Sequence, residues 1–207
     1  MIPASLPYSG EALAAFIESY NARVWPAHAV SIVMIFGVVA SLLKHKPASR
    51  HLVFIVSGLF YLWVGAVFYI NGFSSLNFLA PYVGGTFIVQ GSICLVLAAA
   101  GQKINNSSPS HRPSHSHSYI PALSGGRALR VGLAFIILAV IVYPALMAVI
   151  KGGLSGWRMP GMTPVSTSLF TIGAVAPVTD GKQRLILLVL PVLHLLFAAI
   201  CGIILFF

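Results

Sequence analysis

The sequence predicts an all-α polytopic integral membrane bundle of six transmembrane helices, preceded by an N-terminal interfacial amphipathic helix. Three observations carry that reading. Apolar residues fill 58% of the 207 positions and charged residues only 7%, where a soluble domain carries roughly a quarter. The apolar residues gather into runs of transmembrane length. The basic residues fall in short clusters between those runs, which is where membrane orientation needs them. The same placement argues against nucleic acid as a partner, because the net charge of +9 follows no helix face or aromatic-basic pattern.

The elements follow in chain order, as parts of one membrane domain covering 1–207. The start does not read as a signal peptide, since it lacks a basic n-region and holds Glu11 and Glu18. In residues 9–23, Leu13, Phe16, Ile17 and Tyr20 recur at helical spacing and form one apolar stripe. Ser9 is a suitable N-cap and Glu11 suits the first turn. This predicts a short helix lying in the interface or packed on the bundle as a lid.

The first span is expected at 25–43, ending at Lys44, Lys46 and Arg50, and the second at 52–70, rich in aromatics. An uncharged turn leads to the third at 78–100. Residues 101–119, GQKINNSSPSHRPSHSHSY, offer almost nothing to bury and predict a disordered loop. The fourth span covers 129–150, where Pro144 predicts a kink. The fifth, 165–178, is short for a crossing and is the one that could be re-entrant; the sixth is 185–207.

With six spans, nine Lys and Arg residues share the side of the 44–51, 101–130 and 179–184 connections, against three on the other. That split places both termini on the non-cytoplasmic side of a bacterial inner membrane. A re-entrant fifth segment would reduce the split to seven against five.

The constellations that carry chemistry are sparse. Glu11, Glu18 and Asp180 all fall outside the spans, which speaks against a carboxylate-based ion-coupled transporter. His194 lies near the middle of the sixth span and is the one candidate for a cofactor ligand or proton carrier, set against a hydrogen-bonded structural histidine. His111, His115 and His117 are the weak candidates for metal ligands, but no Cys or carboxylate accompanies them, so the reading is a solvated linker and no metal site is assigned. Cys94 and Cys201 read as small buried hydrophobes.

The candidate polar intramembrane site joins Gln90 of the third span to Ser166, Thr167 and Thr171 of the fifth. Short proline-bounded polar segments line solute sites in transporters, while Ser and Thr also bond back to their own helix. Gly58, Gly65, Gly84 or Gly85, and Gly91 offer surfaces for close helix approach. No acyl-transfer, phosphate-loop or metalloprotease motif occurs, so no catalytic residue is assigned and no cofactor is expected.

The stretches YNARVWPA at 20–27, LWVGAVFY at 62–69 and FIVQG at 87–91, with Tyr143-Pro144 and TSLFTIG at 167–173, resemble the domain-of-unknown-function 6064 family of bacterial multi-span membrane proteins. The resemblance covers nearly the whole chain. It implies a six-helix membrane protein and supplies no activity. The chain departs from the family pattern at the entry to the fifth segment, GMTPVSTS, and after the second-span aromatics, YINGF.

The leading expectation is a non-enzymatic scaffold or small subunit of a larger membrane complex, with lipid, membrane proteins or further copies of itself as partners. The alternative is a small permease for an uncharged or anionic solute. A membrane-embedded redox protein or other enzyme comes third.

Overall fold

A computed structural model describes residues 10–44, 48–106, 125–150, 158–179 and 181–200, all the regular elements of which are helical. Residues 107–119 of the expected disordered loop, with His111, His115 and His117, lie outside the described residues, as do Asp180, Cys201 and the end of the last expected span. Among the described residues, five helical stretches are long and apolar enough to cross a membrane.

The first of them corrects the expected division into an interfacial helix and a span. α1 runs unbroken over Gly10–Leu43, with Pro26 inside it. The stripe read from the sequence is present and follows the alternative of packing on the bundle, since Leu13, Ile17, Tyr20 and Val24 are buried. Phe16 and Tyr20 stack edge-on to Phe68, with ring centroids 5.6 and 5.2 Å away. Those aromatic contacts, worth about 0.5–1.5 kcal/mol each beyond area burial, hold the first turns of α1 upright against the bundle.

α2 covers Ser49–Trp63 and continues through a π-helical stretch, Val64–Gly72, into a 3-10 turn, Phe73–Ser75. α3, Ala80–Asn106, packs on it most extensively. The reason is glycine. A Cβ on Gly91 would lie 2.8 Å from the Gly58 carbonyl oxygen, and one on Gly65 only 2.7 Å from that of Gly84. Backbones this close admit no larger residue. Gly85, offered from the sequence as an alternative to Gly84, faces open space. α3 also extends through 101–106, so the first residues of the expected disordered loop are helical.

α4, Gly125–Ile137, passes through a π-helical turn, Leu138–Val142, into α5, Tyr143–Ile150. The wider turn sits just before Pro144, whose ring would otherwise strike the carbonyl one turn earlier. α6, Pro164–Val175, has 12 residues. At 1.5 Å per residue it is about 18 Å long, little more than half a hydrocarbon core of about 30 Å. α7 covers Gly181–Ile200. α6 packs chiefly on α4 and α7, and on α4 the contact is again backbone to backbone, with a Cβ on Gly173 only 2.5 Å from the Gly132 oxygen.

Candidate functional site

α6 is the most deeply enclosed element of the chain. All of 158–171 is buried, including the irregular stretch that leads into the helix. Buried irregular backbone must find partners for its polar groups, and several of them are identifiable here. Met162 and Thr163 N–H donate to the Met159 carbonyl, closing a turn. Gly161, at φ 82, occupies the left-handed region that glycine tolerates without strain. Its N–H donates to Thr167 Oγ1 at 2.7 Å. The Tyr20 hydroxyl of α1 donates to the Met162 carbonyl at 3.0 Å and accepts from Trp63 Nε1 at 3.3 Å. Thr163 is extended, and Pro164 begins the helix at the position where a missing N–H costs nothing.

These contacts place the beginning of α6 beside Phe60 and Trp63, midway along the continuous helical stretch Ser49–Ser75. The helix therefore starts inside the bundle, not at its end.

The sequence-derived polar site is partly brought together. Ser166 and Thr167 hydroxyls both return to the Thr163 carbonyl, at 3.2 and 2.7 Å, and Thr171 returns to that of Thr167 at 2.9 Å. These three hydroxyls satisfy their own helix. Gln90 stands elsewhere on the seam: its Nε2 donates to the Leu187 carbonyl of α7 at 3.0 Å. His194, also on α7, meets the edge of the Phe87 ring at 5.2 Å, and its Nε2 has no hydrogen-bond partner.

The structure adds groups that sequence reasoning missed. The Tyr61 hydroxyl of α2 faces Ser168 and Thr171 of α6, yet neither it nor Ser168 Oγ closes a hydrogen bond. Ser57, one helical turn before Tyr61 on the same face, is likewise buried and unpartnered. Phe60 packs on Phe170 at 5.4 Å, and Phe87 joins Tyr61 to His194 through ring contacts of 5.2 Å. Finally, Arg158 is 1% exposed, with Nε and Nη1 unpartnered and its guanidinium facing Tyr143. An Arg in a Gly- and Pro-rich connection reads as a solvated orientation charge, and nothing in the neighbouring residues signals its burial.

Three of the unpartnered groups, on Tyr61, Ser168 and His194, lie along one seam. On one side stand α1, α2 and α3, and on the other α4, α6 and α7; Tyr61 to Ser168, Phe87 to His194, Gln90 to Leu187 and Tyr20 to Met162 all cross it. An unsatisfied buried hydroxyl costs about 1–3 kcal/mol, so a seam holding several marks a place where a bound molecule or water would recover energy. Among the described residues no group of three or more His, Cys, Asp or Glu is positioned to hold a metal ion.

The fold and seam define an all-helical chain with five stretches apolar and long enough to cross a membrane, enclosing a short polar helix. The chain belongs to a family of unknown function, DUF6064, whose model matches residues 11–207. No curated protein and no solved structure matches it.

Proposed function

We propose that this protein is a small permease of a bacterial inner membrane, passing an anionic or uncharged solute along the seam between α1–α3 and α4–α7. The observation that carries the reading is α6 itself, a half-length helix that begins inside the bundle after a buried irregular lead-in. Non-helical backbone at membrane depth is tolerated where it is enclosed by protein or lines a solute path, and interrupted helices are the usual builders of transporter sites. On this reading the lead-in and α6 together make the fifth crossing, giving six in all. With the buried Arg158 left out, the basic-residue bias is nine to two and favours both termini on the non-cytoplasmic side. The first three crossings and the last three run in opposite senses, the arrangement that suits alternating access around a central seam.

Residue roles follow from which groups are free. Tyr61, Ser168 and Ser57 supply hydroxyls to a solute; Thr167 and Ser166 fix the entry to α6; Gln90 ties the two halves. Uptake into liposomes containing the purified protein tests the proposal. A panel of small carboxylates, inorganic phosphate and polyols should include a saturably accumulated solute, and Tyr61→Phe with Ser168→Ala should reduce that uptake while the protein stays folded. Rates equal to protein-free liposomes for every solute would defeat it.

The reading as a scaffold or small subunit has its own support on α3. Ile88, Val89, Ser92, Ile93, Val96 and Leu97 line an open, almost wholly apolar groove on its outer side, and Gly85 leaves room beside it. That surface suits a neighbouring helix from another membrane protein or a second copy of this chain. Crosslinking from Ser92→Cys in native membranes distinguishes them: a reproducible heterologous adduct favours the subunit role, and only lipid exposure removes it.

A further inference from the structure

Arg158 is where the chain leaves a charge unanswered. Its side chain is 1% exposed, and two of its guanidinium nitrogens have no hydrogen-bond partner. Arginine does not give up its proton in proteins, so the positive charge persists in this enclosed position. The chain holds three carboxylates. Glu11 and Glu18, the two carboxylates among the described residues, are exposed on α1. The group facing the guanidinium is the Tyr143 side chain, which can offer one oxygen and carries no compensating charge at neutral pH. A buried cation with two open donors and no carboxylate beside it among the described residues is stabilised by an anion that pairs with it.

We infer that Arg158 is the anchor of an anion-binding site, taking the carboxylate or phosphate group of a ligand that enters beside Tyr143 at the start of α6. The chemistry is specific. Nε and Nη1 are left without partners, and each N–H is a charge-assisted donor for an oxygen of a carboxylate or phosphate. The Tyr143 hydroxyl can donate to the same anion. α6 begins at Pro164, a short turn later, and its N-terminal end adds positive potential inside the bundle. Half-helix N-termini serve anionic groups in this way in broken-helix transporters. As the identity of a permeating solute this rests on the permease reading; as a binding site it stands without it.

The test is anion-dependent thermal stability of the full chain in nanodiscs. In phosphatidylcholine discs, inorganic phosphate or succinate should raise the melting temperature saturably, while chloride at equal ionic strength should not. Should the anion be a lipid headgroup, phosphatidylglycerol discs will give the stabilisation with no added anion. In either arm Arg158→Gln should weaken the effect at least about tenfold, the size of one lost charge-assisted contact, while its stability in anion-free phosphatidylcholine equals or exceeds that of the native chain. If Arg158→Gln does not fold, Arg158→Lys and Tyr143→Phe replace it, each expected to bind more weakly. Anion effects that are absent from all arms, or unchanged in every variant, overturn the site. Anion binding without uptake would defeat the permease reading alone, and uptake of an uncharged solute without anion binding would defeat this site alone.

Discussion

Gly161→Ala is the substitution that bears hardest on how α6 is held. The residue has φ 82, and a Cβ built on it would lie 2.5 Å from Phe60 Cδ1 and 2.8 Å from Cε1. Placing an L side chain in the left-handed region costs about 1–2 kcal/mol. Forcing a methyl group into a filled core adds about 1–3 kcal/mol. Phe60 cannot swing away freely, because its ring packs on Phe170 at 5.4 Å. The expected loss is therefore about 2–5 kcal/mol, a large share of the stability of any domain. Displacement of the turn would also stretch the Gly161 bond to Thr167 and the Met162 bond to Tyr20, so the lead-in should loosen as a unit. Reversible unfolding in mixed micelles by titrated denaturing detergent measures the loss. Gly85→Ala is the control: nothing lies within 4 Å of its Cβ position, and alanine there should be neutral or stabilise by up to about 1 kcal/mol. Replacing Phe60 by Leu alongside Gly161→Ala should recover the steric part but not the backbone part, giving favourable coupling in a double-mutant cycle. A Gly161→Ala protein within about 0.5 kcal/mol of the native chain, the usual scatter of a surface substitution, would refute the placement of the turn against Phe60.

Four further outcomes follow from the same contacts. Tyr20→Phe removes the donor to Met162 and the acceptor for Trp63, and should cost about 1–3 kcal/mol in the same titration, with tryptophan emission shifting as Trp63 loses its partner. Gln90→Leu removes the donor to the Leu187 carbonyl, whose helical partner four residues on would be Pro191, which has no N–H; the carbonyl is left unpaired and the cost should be about 1–3 kcal/mol. Ser168→Ala removes a buried hydroxyl that has no partner, and should be neutral or stabilising by about 1 kcal/mol while it lowers solute uptake. Gly173→Ala pushes a methyl group to 2.5 Å from the Gly132 oxygen, where no side chain can yield, and should cost about 1–3 kcal/mol or more unless α4 and α6 separate.

The long helices were legible because each repeats one signal, an apolar run closed by basic residues or glycine, which needs no tertiary knowledge to read. The stripe of Leu13, Ile17 and Tyr20 was equally visible, but what it faces was not. An amphipathic face looks the same against lipid as against Phe68, and Pro26 reads as a break although a helix can carry it. The shortness of 165–178 and its hydroxyls pointed to α6 as unusual. What the composition concealed was depth. Arg158 sits in a connection rich in glycine and proline, and only the folding of 158–163 into the bundle turns it from a surface charge into a buried one. Ser57 and Tyr61 were hidden among aromatics for a related reason: a hydroxyl on a crowded apolar helix becomes informative only when the opposing helix fails to satisfy it.

The claim that ties these observations together is that the seam between α1–α3 and α4–α7 opens to admit a solute. Thiol accessibility measures it directly. With Cys94 and Cys201 replaced by Ala, Ser168→Cys in proteoliposomes should react with a small water-soluble methanethiosulfonate, although the position is fully buried in the closed arrangement. The transported solute should slow that reaction, and a Val38→Cys control, buried away from the seam on α1, should stay unreactive. A Ser168→Cys thiol as inert as the control, with every solute and from both sides of the membrane, would contradict the account and leave a solid core in place of a path.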